Sequence, residues 1–239
     1  MTSRTHDEVD WRAAPIDKID DVVRVLDETY GPRPWRRHGD PVDQLVGTIL
    51  SQNTSNTNTA RSFASLKQEF PTWEEVRTAP IDEVVASIRV GGLANQKGPR
   101  IQHALTSILG HRGSYDLDML EQMPVPEAMA WLTAIDGVGP KTAACVLLFS
   151  LGMPVLPVDT HVYRVSQRLG LIDTKVSEAR SHDQLLDLLG DDTATLYAFH
   201  MEMIAHGRTV CIARRPKCMS CPLRDLCRFA AEHATRADA

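Results

Sequence analysis

The sequence has few aromatic residues, no long apolar run and no excess of basic charge. Aromatic side chains make up 5% of the 239 residues, and the net charge is −5 with a pI near 6.0. Such an acidic chain does not coat nucleic acid by bulk attraction, so any contact with nucleic acid needs a local basic patch. The most apolar run, residues 143–151, is far too short to cross a bilayer. We therefore expect no membrane partner.

The N-terminal residues lack the apolar core of a secretory signal. The chain begins MTSRTHDEVDWR, which is mostly polar or charged, so we expect no signal peptide and a cytoplasmic location. Cysteine is also scarce, and four of the five cysteines lie between Cys211 and Cys227. In a reducing compartment, cysteines crowded in this way predict a metal site rather than disulfides. The fifth, Cys145, is interpreted as an ordinary buried core thiol.

Apolar residues at helical spacing run through most of the chain, whereas alternating strand patterns are not found. The clearest stripe consists of Val42, Leu45, Val46, Ile49 and Leu50. Asp40 and Pro41 stand where this helix should begin, since aspartate is a favoured N-cap and proline suits the first helical position. Similar stripes occur at Ile19, Val22, Val23 and Leu26, at Ile101, Leu105 and Ile108, and at Leu196, Phe199 and Met203. The sequence therefore predicts an all-α protein.

Glycine and proline pairs mark the expected breaks between these helices. They occur at Gly31-Pro32, Gly91-Gly92, Gly98-Pro99, Gly110, and Gly137 to Pro140. None of these breaks has the composition of a flexible linker. We therefore expect one compact body with two lobes.

Four cysteines near the C-terminus form the pattern C-x6-C-x2-C-x5-C. They are Cys211, Cys218, Cys221 and Cys227. Spacing this close lets one short loop wrap four thiolates around a single centre, which is either a [4Fe-4S] cluster or a tetrahedral zinc ion. The same segment holds the basic residues Arg208, Arg214, Arg215, Lys217, Arg224 and Arg228. This basic island is either a phosphate-binding patch or a solvated charged face.

A glycine turn joins two predicted helices in the segment LTAIDGVGPKTA. Gly137, Val138 and Gly139 allow a tight turn and a close approach of backbone to a ligand. The amides at the start of the following helix offer a site for one DNA phosphate, which positions the backbone without reading sequence. Lys141 lies in the first turn, where the helix dipole disfavours a further positive charge and so favours a neutral, nucleophilic amine. Alternatively, Lys141 is a solvated or phosphate-contacting lysine.

An aspartate opens a later helix in the segment VDTHVYRV. Asp159 precedes a stripe of Val162, Val165 and Leu169, as an N-cap residue does. Asp159 is thus a helix cap, or a catalytic carboxylate that acts together with Lys141.

Taken together, GVGPKTA, VDTHVYRV and CIARRPKCMSCPLRDLC resemble the endonuclease III branch of the helix-hairpin-helix DNA glycosylases. The resemblance covers about residues 19–229. It implies a six-helix barrel with the hairpin at 37–153, and an iron-sulfur lobe made from 1–36 and 154–239. It also implies that DNA lies in a groove between these lobes, and that the four cysteines hold a [4Fe-4S] cluster rather than zinc.

The resemblance assigns a role to each candidate residue. Lys141 would attack C1′ of the damaged nucleotide and form a Schiff base that leads to β-elimination, and Asp159 would stabilise the charge that develops on the sugar. Gln52 and Asn53 would fill the gap left by the extruded base, and Leu93 would act as a wedge between bases. Without the resemblance, Leu93 is equally well a loop residue that covers the core and Gln52 a polar residue at a helix end.

Four positions depart from the bacterial pattern of that family. Asn53 and Asn56 stand where glutamine and aspartate are more usual, Ala94 where tyrosine is common, and Pro140 where an arginine precedes the lysine. These changes leave the lysine-aspartate chemistry intact and affect the choice of base.

The function implied is a bifunctional DNA glycosylase and AP lyase for base excision repair. Its partner would be duplex DNA with an oxidised pyrimidine of the thymine glycol type or an abasic site, bound by a monomer at the nucleoid. The alternatives are a mismatch or uracil glycosylase of the same superfamily and a non-catalytic hairpin that only binds DNA backbone. An adenine glycosylase is disfavoured, because such relatives usually lack the lysine at position 141 and carry a further C-terminal domain.

Overall fold

The computed structural model describes residues 14–237 and forms twelve α-helices there. They are α1 (Pro15–Tyr30), α2 (Pro41–Ser51), α3 (Asn56–Glu69), α4 (Trp73–Thr78), α5 (Ile81–Ser87), α6 (Ala94–Arg112), α7 (Val125–Thr133), α8 (Pro140–Cys145), α9 (Thr160–Leu169), α10 (Glu178–Leu189), α11 (Thr193–Thr209) and α12 (Arg228–Ala237). No β-strand occurs among these residues, which confirms the all-α prediction. None of the helices described has the length and apolar character needed to span a bilayer. Residues 1–13, on which the expected absence of a signal peptide rests, lie outside the described part.

The chain divides into two compact units. One unit is Arg36–Val155, and the other joins the described residues up to Trp35 to those from Leu156 onward. The sequence placed the first unit at 37–153. Seven helices, α2 to α8, occupy this unit. Two of them, α4 and α5, are separate helices because Pro80 stands between them: proline has no N–H to donate and holds the residue before it in extended backbone.

Helix α2 forms the centre of the Arg36–Val155 unit. The Asp40 side chain caps it, accepting hydrogen bonds from the backbone N–H of Val42 at 2.8 Å and of Asp43 at 3.2 Å. The predicted stripe is wholly buried and packs against α3, α6 and α8. Burying each such side chain stabilises the fold by about 1.5 to 3 kcal/mol, so the end of α2 at Ser51 is held firmly.

The predicted breaks at Gly98-Pro99 and Gly110 are wrong, because α6 continues through both positions. Pro99 lies in the second turn of the helix, where it removes one backbone hydrogen bond without ending the helix. Gly98 serves packing instead: a Cβ at this position would lie 2.9 Å from Cγ2 of Val85 in α5. The glycine therefore allows α5 and α6 to pack closely.

The second unit ties its first helix to segments far along the chain. Ile19, Val22 and Leu26 of α1 are almost fully buried, and α1 packs on α11. The buried ammonium of Lys18 donates to the carbonyl oxygen of Leu169 at 2.7 Å, at the end of α9. Since the last carbonyls of a helix have no partner within it, this contact caps α9.

Candidate functional site

The glycine hairpin lies between α7 and α8. Gly137 has a φ of 82°, a left-handed conformation that glycine adopts without steric cost. The Val138 side chain is buried, and its N–H donates to the carbonyl oxygen of Ile135 at 3.0 Å. Gly139 is extended, and a Cβ built on it would have no heavy atom within 4 Å. Of the three residues predicted to contact DNA here, Gly139 offers the most open backbone, whereas Val138 is committed to the protein.

Lys141 occupies the first turn of α8, directly after Pro140. It is half-buried, whereas every side chain from 142 to 150 is buried. Helix α8 passes straight into one π-helical turn, Val146–Ser150, within the same core. The buried segment fixes the backbone of Lys141, and a lysine in such a place packs its stem while its amine reaches solvent. Cys145 lies in this segment and is buried, as predicted.

Asp159 is the N-cap of α9. Its Oδ1 accepts hydrogen bonds from the backbone N–H groups of His161 and Val162, both at 2.8 Å. The side chain is half-buried. Because one carboxylate oxygen makes both capping bonds, the cap fixes the side chain and leaves Oδ2 for a ligand. The capping role and the predicted catalytic role are therefore compatible.

Asn53 and Leu93 share an uncommon backbone conformation. They are the non-glycine residues with positive φ in the described part of the chain, at 53° and 51°. Asparagine tolerates this left-handed region better than leucine, whose conformation is strained. The Leu93 side chain is also 43% exposed. Backbone strain at an exposed apolar residue is typical of a functional position.

Two basic residues that the sequence analysis did not identify contact the loops that contain Asn53 and Leu93. Lys97 is 1% exposed, and its ammonium donates to the carbonyl oxygens of Leu50 at 2.8 Å and Gly91 at 3.0 Å. Burial lowers the pKa of this ammonium. Lys97 therefore ties the end of α2, where Gln52 and Asn53 follow, to the turn that leads to Leu93. The sequence could have indicated the burial of Lys97 by its position in α6: it lies three residues after Ala94 and four before Ile101, on the buried stripe of that helix.

Arg100 is the second such residue. Its Nη1 donates to Oε1 of Gln52 at 3.1 Å. A Cβ placed on Gly137 would lie 3.3 Å from Cγ of Arg100. Arg100 thus contacts both the half-buried Gln52 and the glycine hairpin within the Arg36–Val155 unit. Asp159 and the four cysteines belong to the other unit.

The four cysteines line one cavity. Cys211 and Cys227 are buried, and Cys218 and Cys221 are half-buried. Among the described residues, no three His, Cys, Asp or Glu side chains converge closely enough to hold a single metal ion. A zinc ion needs four sulfurs about 2.3 Å from one point, whereas a [4Fe-4S] cluster takes one thiolate on each of its irons. Four thiols around one cavity are the donor set that a [4Fe-4S] cluster takes.

Nitrogen donors approach two of these thiols. Arg168 Nη1 lies 3.3 Å from Sγ of Cys211, and His206 Nε2 lies 3.5 Å from Sγ of Cys221. Burial raises the pKa of the Cys221 thiol to about 12 and also raises the pKa of Cys227. Thiolates at Cys221 and Cys227 consequently need positive charge beside them, which the irons of a bound cluster would supply.

The basic island lies mainly at the surface of the cysteine loop. Arg208, Arg214, Arg215 and Lys217 are exposed, while Arg224 and Arg228 are half-buried. Arg228 is partly engaged, since its Nη2 donates to the carbonyl oxygen of Gln167 at 3.2 Å. Exposed cations on a loop with a fixed backbone are suited to contact phosphate.

Two family descriptions match the chain. The HhH-GPD superfamily base excision DNA repair protein matches residues 46–189, and the iron-sulfur binding domain of endonuclease III matches residues 211–227. The first match includes the hairpin with Lys141 and the cap residue Asp159. The second begins and ends on cysteines of the predicted ligand set.

Curated relatives include proteins from a plant and a bacterium. A DNA glycosylase of Arabidopsis thaliana is 38% identical over 167 residues, which are 70% of this chain, and the match spans 56% of the plant protein's length. Endonuclease III of Thermotoga maritima is 32% identical over 212 residues, which are 88% of this chain and 92% of that protein.

Solved structures share the fold. A trapped covalent intermediate of endonuclease III with DNA has a TM-score of 0.77 and 27% identity, and the alignment covers 92% of this chain and 98% of that one. A thermostable thymine-DNA glycosylase has a TM-score of 0.74 and 20% identity, with 90% and 98% covered, which shows a common fold.

Proposed function

Because the chain belongs to the endonuclease III family of the HhH-GPD superfamily, we propose that it removes oxidised pyrimidines of the thymine glycol type from duplex DNA. It is an endonuclease III-like base excision repair DNA glycosylase that carries a [4Fe-4S] cluster. One observation carries the proposal: Lys141 is half-buried at the start of α8, two residues after the open backbone of Gly139.

Lys141 is the nucleophile of the proposed reaction. Its neutral amine attacks C1′, so that a bond forms from Nζ to C1′ while the bond from C1′ to the base breaks, and the base departs with the electron pair and takes up a proton. Opening of the sugar gives a Schiff base on Nζ. Loss of a proton from C2′ then expels the 3′ phosphate by β-elimination. Water finally hydrolyses the Schiff base and frees Lys141.

Asp159 supports this chemistry through its charge. Positive charge develops on the sugar as the base departs, and a fixed carboxylate stabilises that charge without having to reorganise. The two capping hydrogen bonds hold the side chain of Asp159 in one orientation. The same carboxylate assists the proton transfers that follow the attack.

Three residues of the Arg36–Val155 unit replace the extruded base in the proposal. The damaged base must leave the stack before C1′ is accessible. Leu93 is the wedge, because its side chain is exposed and its backbone is strained. Gln52 and Asn53 face the orphaned base of the opposite strand with amide groups that both donate and accept hydrogen bonds.

Backbone contacts would come from the hairpin and from the basic island. Gly139 and the first amides of α8 would bind one phosphate, and the exposed arginines of the cysteine loop would bind others. We assign Cys211, Cys218, Cys221 and Cys227 as the ligands of the cluster. The bound cluster supplies a rigid structural centre that holds this loop in shape.

Borohydride trapping tests the proposed chemistry. Duplex oligonucleotides with thymine glycol, uracil in a mispair or an abasic site are incubated with the protein. Borohydride then reduces any Schiff base, and the covalent complexes are quantified on a gel. We expect trapping with thymine glycol and with the abasic site, and its loss in Lys141→Gln. Lys175→Gln, which changes an exposed lysine, is the matched control. Asp159→Asn should slow base release at unchanged DNA affinity.

The other outcomes identify the remaining candidates. Trapping on mispaired uracil with none on thymine glycol would indicate a mismatch or uracil glycosylase, which the changes at Asn53, Asn56, Ala94 and Pro140 make worth testing. Base release without any trapped complex would contradict the role of Lys141. DNA binding without base release or strand cleavage would leave a non-catalytic hairpin module.

The assembly and location are proposals of the same kind. We propose that the protein acts as a monomer on nucleoid DNA in the cytoplasm, where its proposed substrate, duplex DNA, is found. Light scattering on the DNA complex should give the mass of one chain per duplex. Imaging of a fluorescent fusion should show it over the nucleoid, and a signal at the cell envelope would contradict the location.

A further inference from the structure

A cavity of about 730 Å³ lies within the unit that contains both ends of the described chain. Its walls come from α1, from the segment after α1, from the end of α10 and from α11. None of the residues assigned to the DNA reaction or to the cluster lines it. A volume of this size is typical of a binding site for a small organic molecule.

One carboxylate in the wall has a buried oxygen without a hydrogen-bond partner. Glu202 of α11 is 1% exposed, and its Oε1 has no hydrogen-bond partner among the described residues. Burial, together with the negative charge of Asp27, raises the pKa of Glu202 to about 7, although Arg33 opposes this shift. A buried acceptor without a partner is costly, because the group has lost water and gained nothing in return.

The charges around the cavity are unequal. Asp20, Asp27 and Glu202 contribute three carboxylates. Of the two arginines in the wall, Arg24 is held by Asp21 at 2.8 Å and by Glu28 at 3.1 Å. Arg33 lies after α1, and its buried Nε has no hydrogen-bond partner among the described residues. The wall therefore has three carboxylates and a single arginine that is not already paired with acidic side chains of α1. The cavity therefore favours a positively charged occupant.

The rest of the wall identifies the kind of cation. Much of it is apolar, with side chains such as Val23, Leu188 and Ala198. The carboxylates do not converge on one point, since no group of three acidic, histidine or cysteine side chains in the described part of the chain is placed to hold a metal ion. A compact inorganic cation therefore fits poorly. A cation carried on an aliphatic chain matches both the separated carboxylates and the apolar surface.

We propose that this cavity binds a primary alkylammonium ion, with the ammonium at Glu202 and the aliphatic chain against the apolar wall. Asp20 and Asp27 are exposed and add negative charge at the surface of the cavity. Two sources supply this chemistry: a free aliphatic polyamine, or the side chain of a lysine on another protein.

Calorimetric titration of the cluster-loaded full chain without DNA tests the proposal, so its result does not depend on the repair reaction. The probes are cadaverine, a five-carbon diamine, and pentanediol, its neutral counterpart. We expect saturable binding of cadaverine and none of pentanediol. Glu202→Gln keeps the shape of the side chain and should weaken binding by about tenfold or more, the size expected for a charged hydrogen bond. Glu127→Gln, an exposed carboxylate of α7, should change nothing.

Asp27→Asn provides a second variant at an exposed position that leaves the core untouched. It should weaken cadaverine binding by about twofold to fivefold, as expected for a solvent-exposed charge pair. A short peptide with one lysine and blocked ends separates the sources: binding as tight as that of cadaverine indicates a protein lysine, and weaker binding indicates a free polyamine. The proposal is overturned if neither amine binds saturably at millimolar concentration, if pentanediol binds equally, or if Glu202→Gln and Asp27→Asn both bind as the wild type does.

Discussion

The ammonium of Lys97 and the carbonyl oxygen of Leu50 are 2.8 Å apart, although 47 residues separate them in the chain. The same ammonium also holds the carbonyl oxygen of Gly91. Each carbonyl precedes a loop that the proposed function uses to replace an extruded base. One buried charge thus sets the positions of Asn53 and Leu93 together.

Lys97→Met should destabilise the protein. Methionine fills a similar volume but donates no hydrogen bond, so two buried carbonyls lose their partner, at a cost of about 2 to 4 kcal/mol. Urea denaturation measures this loss. Lys175→Met, at an exposed position, is the control and should stay within about 0.5 kcal/mol of the wild type. Wild-type stability of Lys97→Met would show that water replaces the ammonium.

Leu93→Asn should separate stability from activity. Asparagine adopts positive φ more readily than leucine, so the variant should gain about 1 kcal/mol of stability. It loses the apolar wedge, and single-turnover excision from duplex DNA should fall by at least about tenfold. Val90→Asn changes an apolar side chain that is 46% exposed and lies three residues earlier, and it should excise normally. Full activity of Leu93→Asn would remove the wedge from the proposal.

The two glycines of the hairpin should respond differently to alanine. Gly137→Ala places a Cβ at positive φ and 3.3 Å from Arg100, so it should lower stability by about 1 to 2 kcal/mol. Gly139→Ala meets no protein atom and should leave stability unchanged, whereas its methyl group obstructs an approaching phosphate and weakens DNA binding. Thermal denaturation and DNA titration at one fixed salt concentration give both quantities. Equal DNA affinity in Gly139→Ala and the wild type would place the phosphate elsewhere.

Removal of two arginines from the cysteine loop should change the salt dependence of binding. If Arg214 and Arg215 each neutralise one phosphate, the double alanine variant should reduce the slope of log affinity against log salt by about 2. The loss should be the same for damaged and undamaged duplexes, because phosphate contacts carry no sequence information. Arg180→Ala, at an exposed position of α10, should keep the wild-type slope. An unchanged slope in the double variant would mean that the basic island is a solvated face.

Glu202→Gln should remove a dependence of stability on pH. The pKa of Glu202 rises from its ordinary 4.5 to about 7 in the fold, so the folded state binds the proton more tightly than the unfolded chain does. The stability that this carboxyl group contributes is fully present below pH 4.5, falls as the pH rises from 4.5 to about 7, and stays low above pH 7. At about pH 8 the glutamine variant should be more stable than the wild type by about 1 to 3 kcal/mol, and near pH 4 the two should agree. Denaturation at both pH values decides the matter, and a constant difference between the proteins would contradict the assigned pKa.

Local rules were sufficient for much of the fold. Asp40 and Pro41 predicted the start of α2, because a cap and a proline act on the nearest turn alone. Cysteine spacing predicted a common metal centre for the same reason, since one short loop brings all four thiols together. The catalytic assignment of Lys141 and Asp159 came from family resemblance, because no local rule connects two residues so far apart in the chain.

Long-range packing decided what the sequence did not reveal. The pair Gly98-Pro99 indicates a break, yet the close approach of Val85 makes the glycine part of a continuous helix. The pair Gly91-Gly92 indicated a turn, but the uncommon backbone conformation also includes Leu93, for which leucine gives no signal. Lysine is usually a surface residue, but Lys97 is buried because its ammonium donates to the carbonyl oxygens of Leu50 and Gly91.

The bond from Lys18 to Leu169 also bears on the order in which the protein can form during synthesis. Its two ends are 151 residues apart, and a ribosome working at about 5 to 20 residues per second needs roughly 8 to 30 s to make the intervening chain. Helix α1 leaves the ribosome with its apolar side uncovered for all of that time. Residues 36–155 meanwhile form a compact unit from one continuous segment. The segment 36–155 can therefore become native first, while helix α1 depends on residues made much later, and a stalled ribosome would leave that helix exposed to chaperones and proteases.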